Sequence, residues 1–135
     1  MRPRISQELD LLRQHYAGVT HAELAGEDWF LIPAFPVPSG WQVSGADLTE
    51  TPLAFVIKAD YPAAAPYGFM LPSGITFGNA QPQNTGAPPT AVPFGGSWLH
   101  FSWQIENWTA TENVTRGSNL PAWCRTFVER LKEGA

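Results

Sequence analysis

The chain has 135 residues, enough for one domain with a substantial core, and 44% of them are hydrophobic. Charged residues are sparse at 15% and the net charge is −4, with eight Lys and Arg scattered between Arg2 and Lys132. That balance argues against a nucleic-acid partner and against an anionic membrane surface. No apolar run approaches the roughly 20 residues of a membrane span.

The N-terminus, MRPRISQELDLL, lacks an apolar stretch and a small-residue cleavage site, so no signal peptide is expected. One Cys excludes an internal disulfide, and the expected compartment is the cytoplasm. The glycosylation patterns at Asn107 and Asn113 then read as chance. In RISQELDLLRQHY, Ile5, Leu9, Leu12 and Tyr16 recur at helical spacing, which predicts an amphipathic helix of about three turns that stops at Ala17-Gly18. EDWFLIPAF reads as a first strand. PVPSGWQVSGADLTETP is a turn-rich connection with an irregular strand near Trp41–Val43.

LAFVIKA is the clearest strand, and YGFML, after a Pro-bounded turn, is the next. In that turn, ADYPAAAP, Pro62 ends strand pairing and biases Tyr61 towards extended backbone, and Pro66 restricts the exit. The turn reads as structural. The run from Pro72 to Gly96, rich in Gly, Pro, Asn and Gln, reads as one long loop. SWLHFSWQIENW reads as a short strand or a packed turn. NLPAWCRTFVERLKE predicts a closing helix, capped by Asn119 with Pro121 in its first turn and Trp123, Phe127 and Leu131 in one stripe. Sequential strands without crossover helices imply an antiparallel meander in a single α+β domain over residues 1–135.

Chemistry is thinly signalled. His100 and Ser102 are two apart, so in an extended segment they share a face while Leu99, Phe101 and Trp103 point to the core. Such a pair could act as general base and hydroxyl, or bind a partner's tail, or be plain polar alternation. Trp41, Trp98, Trp103 and Trp108 are candidates for packing or for a recognition groove. Cys124 falls on the helix stripe and reads as a small buried hydrophobe. His15, His21 and His100 have no metal-ligand spacing, and no glycine motif cradles phosphate, so neither metal nor cofactor is expected.

In their order, the N-terminal helix, PVPSGW, LAFVIKADYPAAAP, the loop from Ser73 to Gly96, WLHFSWQIENWTA and NLPAWCRTFVERL resemble the ubiquitin-conjugating fold. The nearest likeness is to family E of the prokaryotic ubiquitin-conjugating-like proteins. The resemblance implies an N-terminal helix, a four-stranded antiparallel meander, a long active-site-type loop and a C-terminal helix. It implies a ubiquitin-like protein, an adenylating activating-enzyme-like protein and a metallopeptidase as partners. It also implies a thioester-forming Cys ahead of Trp108, yet no Cys lies between Ser73 and Trp108, and the corresponding position falls near His100 or Ser102. No His-Pro-Asn turn occurs either. Three readings follow: a member without the thioester Cys that positions a ubiquitin-like tail, an unconventional acyl-transfer enzyme using His100, Ser102 or Cys124, and an adaptor that reuses the fold.

Overall fold

A computed structural model describes residues 1–135. Helix α1, Pro3–His15, begins with Pro in its first turn, where no intrahelical N–H is needed, and buries Ile5, Leu9 and Leu12 on one face. Tyr16 N–H closes it on Leu12 O. Helix α2, Leu120–Lys132, is capped as its sequence predicts: Asn119 accepts from Ala122 N at 2.9 Å. Its buried stripe holds Leu120, Trp123, Cys124, Phe127 and Leu131. No helix is long and apolar enough to cross a membrane.

Between the helices lie β1 Thr20–Leu24, β2 Glu27–Pro36, β3 Trp41–Val43, β4 Ala46–Asp47, β5 Glu50–Ile57, β6 Tyr67–Pro72, β7 Ile75–Phe77, β8 Thr85–Gly86 and β9 Trp98–Gln104. Six of them form an antiparallel sheet in the order β1-β2-β5-β6-β9-β8, and β4-β3-β7 form a smaller one. The α+β class holds, with an antiparallel sheet and a helix at each end of the chain. The expected four strands are an undercount. β1 adds an edge through a tight hairpin to β2, and β8 and β9 extend the opposite side.

The main sheet has two dressed faces. Phe30, Ile32, Leu53, Phe55, Ile57, Phe69, Leu71 and Phe101 meet both helices in one core. Phe127 of α2 sits at its centre, with ring centroids 4.4 Å from Phe69, 4.9 Å from Trp123 and 6.0 Å from both Phe35 and Phe55. The opposite face carries Trp29, Ala54, Val56 and Met70. Val92, Phe94 and Trp98 cover it. The run expected as one long loop is therefore two short strands followed by a strip laid across the sheet.

The Tyr-Pro turn is clamped to both helices. Glu8, fully buried on α1, accepts from Tyr61 Oη at 2.5 Å, from Leu120 N at 2.5 Å and from Arg4 Nε at 2.9 Å. Its carboxylate thus meets the N-terminus of α2, where the helix field favours an anion. Arg2 donates to the carbonyls of Lys58, Ala59 and Tyr61, and Trp108 Nε1 donates to Pro62 O at 2.9 Å. The Tyr61–Pro62 peptide is cis.

Candidate functional site

The Tyr-Pro turn forms one wall of a cleft of about 280 Å³. Val56 and Ile57 of β5, Tyr61, Pro66, Tyr67 and His100 line it, and Pro89 of the covering strip closes one side. The lining is mainly apolar, with Lys58 and Asp60 among its polar residues. Its volume suits one side chain or a short length of extended chain better than a large cofactor.

His100 comes to this cleft through β9. It pairs with Met70 in register, so it shares the covered face of the sheet, while Leu99, Phe101 and Trp103 pack on the helical core as alternation predicts. Gly68 makes room for it. The register of β6 against β9 shifts between Tyr67 and Phe69, and Gly68 takes φ +75° there. Only a glycine adopts that backbone readily, and a bulge of this kind re-aims the side chains around it. The ring of Tyr67 lies 6.1 Å from that of His100, and Tyr67 is 53% exposed. Burial lowers the pKa of His100 below its ordinary value, so at neutral pH the imidazole is uncharged. His21, paired with Asp28, is the histidine whose ring is hydrogen-bonded; the ring of His100 makes no hydrogen bond to the protein, and its Nε2 edge lies against Gly68.

Ser102 shares the face but not the cleft. It borders a separate shallow depression with Asn84, Gln104, Arg130 and Glu133, and its N–H donates to Asn84 O at 2.9 Å. No hydrogen bond joins Ser102 to His100, and Glu106 is exposed beyond the end of β9. A Ser-His-acid relay is not assembled in this arrangement.

The tryptophans divide. Trp41 is fully enclosed, and its Nε1 donates to Leu131 O at 2.9 Å. The expectation that it lines a recognition groove is corrected: β3 turns its ring inward against Phe77 and Phe101. Trp98 lies in the cover over Trp29 and Met70. Trp103 Nε1 donates to Thr126 Oγ1 at 3.0 Å, and the ring of Trp108 packs at a tilt against Tyr61, 5.7 Å between centroids. Each of these three is half-buried and leaves part of its ring at the surface. Cys124 is fully buried in the core, and desolvation pushes its thiol pKa well up, against a smaller opposing effect of Arg125. It has neither access nor thiolate character, which removes it as a nucleophile.

Sequence reasoning missed Tyr67, Gly68 and Pro89 as parts of the site. The glycine inside YGFML was a legible signal, because glycine within a strand marks a bulge or a close approach. No family model, no curated protein and no solved structure matches the chain.

Proposed function

We propose that this chain is a bacterial ubiquitin-conjugating-like protein that binds and positions the C-terminal tail of a ubiquitin-like protein without carrying it as a thioester. The order of helix, antiparallel strands, Tyr-Pro turn, aromatic strand and Trp-bearing closing helix supports the ubiquitin-conjugating-like fold. The observation that carries the functional reading is the pairing of an enclosed thiol with an open cleft. The one cysteine is sealed in the core, while the cleft beside the Tyr-Pro turn presents an uncharged imidazole with no protein partner. A slim extended tail suits that volume. His100 would hydrogen-bond its backbone, and Tyr67, Pro66 and Pro89 would flank it. The ubiquitin-like protein, its adenylating enzyme and a metallopeptidase are the partners this reading entails.

A second reading has one feature in its favour. An unpaired, uncharged imidazole is itself an acyl acceptor or a general base, so His100 could transfer an acyl group. One experiment separates the two. The protein is incubated with a ubiquitin-like protein of its own cell, the cognate adenylating enzyme and ATP, and followed by intact-mass spectrometry and by NMR of the tail. Tail resonances that shift with wild type and not with His100→Ala, with no adduct, support the binding reading. An adduct mapped to His100 overturns it in favour of transfer, and no tail shift at all overturns both.

A further inference from the structure

We infer that the turn end of the β1–β2 hairpin, beside the start of α1, binds one divalent first-row transition ion through His21 Nε2 and the carboxylates of Glu23 and Asp28. The three ligand atoms lie within 4.8 Å of one another. His21 Nε2 and Asp28 Oδ1 are 2.8 Å apart. Two neighbouring ligands about 2.1 Å from one ion stand roughly 3 Å apart, so this spacing needs little change to admit a metal.

The hairpin sets the geometry. Glu23 pairs with Asp28 across the strands, and His21 lies two residues along β1 on the same face. The His21 ring meets Phe30 edge-on at 5.2 Å, which fixes its plane. The side chains of His21 and Asp28 are each 10% exposed, whereas Glu23 is half free and able to swing. Asp28 accepts one hydrogen bond, on Oδ1; its Oδ2 has only Arg2, at 3.9 Å. Oδ2 is thus left without a hydrogen-bond donor from the protein and is free to take a metal ion in place of water. It faces a depression of about 230 Å³ bordered by Met1, Arg2, Glu23, Gly26, Asp28 and Ala59, which has room for an ion and its waters.

Two cations already stand near. The guanidinium of Arg2 is committed to the carbonyls of Lys58, Ala59 and Tyr61, so it keeps its anchorage if Asp28 turns to a metal. The N-terminal amine lies 3.3 Å from Glu23 Oε1 in an exposed contact, the kind that contributes little. The imidazole nitrogen selects a transition ion over Mg²⁺ or Ca²⁺, which take oxygen ligands. His21 would coordinate as the neutral ring with its proton on Nδ1, leaving the remaining positions to water.

The test titrates the intact, untagged protein with Zn²⁺ by calorimetry and with Co²⁺ by visible absorption, each in the presence of excess Mg²⁺. One ion per chain is expected. Glu23→Gln should weaken binding by about tenfold or more, and His21→Gln by at least as much. Circular dichroism checks that the variants fold. Glu23 is exposed, so Glu23→Gln carries the test even where His21→Gln does not fold. No binding to wild type, or binding of equal strength in Glu23→Gln, overturns the assignment. So does a Co²⁺ spectrum unchanged in His21→Gln, which would place the ion on His15 or His100.

Discussion

The imidazole of His100 lies against the backbone of Gly68 so closely that a β-carbon at Gly68 would stand 2.2 Å from Nε2 and 2.7 Å from Cε1. Gly68→Ala is therefore expected to push the ring out of its seat as well as strain a backbone at φ +75°. NMR should show the ring resonances of His100 shifted in a protein that still folds, at a cost of about 1–3 kcal/mol in urea unfolding. Tail binding should fall as far as in His100→Ala. Unshifted ring resonances would show that the bulge does not hold the imidazole.

The low pKa of His100 makes stability depend on pH in a defined direction. The unfolded imidazole titrates near the ordinary histidine value of about 6.5, and burial places the folded one lower. As pH falls below about 6.5, the unfolded chain takes up a proton at this site before the folded chain does, so stability declines. The contribution of His100 is complete above that pH and is lost across the window down to its folded value. Urea midpoints of wild type and His100→Gln, measured from about pH 5 to about pH 8, should differ in slope below about pH 6.5 and run parallel above it.

Glu8 joins three elements through one carboxylate, so its removal should be costly. Glu8→Ala strands the Tyr61 hydroxyl and the Leu120 N–H in the core, and about 3–5 kcal/mol of stability should be lost. Tyr61→Phe should cost about 1–3 kcal/mol, because it deletes one charge-assisted bond and leaves the ring packing intact. In a double-mutant cycle the two changes should cost clearly less together than the sum of the singles. Additive losses would mean that the two side chains do not act on one another.

Cys124 gives a direct test of access. A thiol reagent should modify the native protein only at the rate of global unfolding, and at once in denaturant. Fast native labelling would return Cys124 to the list of nucleophiles. Cys124→Ala should leave tail binding unchanged.

Phe127 touches Phe35, Phe55, Phe69 and Trp123, and so bridges three strands and its own helix. Phe127→Ala should lower stability by about 3–5 kcal/mol, read from chemical unfolding.

Much of this architecture is legible in the sequence where local rules agree with the tertiary outcome. The Asn119 cap, the stripe through Phe127 and the alternation around Phe55 each declare one element in a few residues. β1 escapes because THAEL is an edge strand whose exposed positions carry no clear pattern. The cleft escapes for a different reason. Its walls come from three separate segments, Val56–Tyr67, Pro89 and His100, which only the sheet and its covering strip bring together. The Tyr-Pro turn reads correctly as a rigid bend. That it also forms the wall of a cleft depends on His100, which arrives from a strand begun thirty-odd residues later. Trp41 shows the limit of composition: a tryptophan beside glycine and proline looks like surface, and β3 folds it inward.

The strip that covers the second face of the sheet has an optical consequence. It lays Phe94 edge-on to the buried Trp29, at 6.5 Å, and its continuation into β9 carries Trp98 onto the same cluster. Pro89, at the lip of the cleft, belongs to the same stretch of chain. Whatever enters beside His100 presses on a segment whose far end rests on two indoles. Occupancy of the cleft should thus be visible as a change in intrinsic emission, with no dye or label attached, and the signal should shrink with Trp29→Phe while Trp98 keeps the rest.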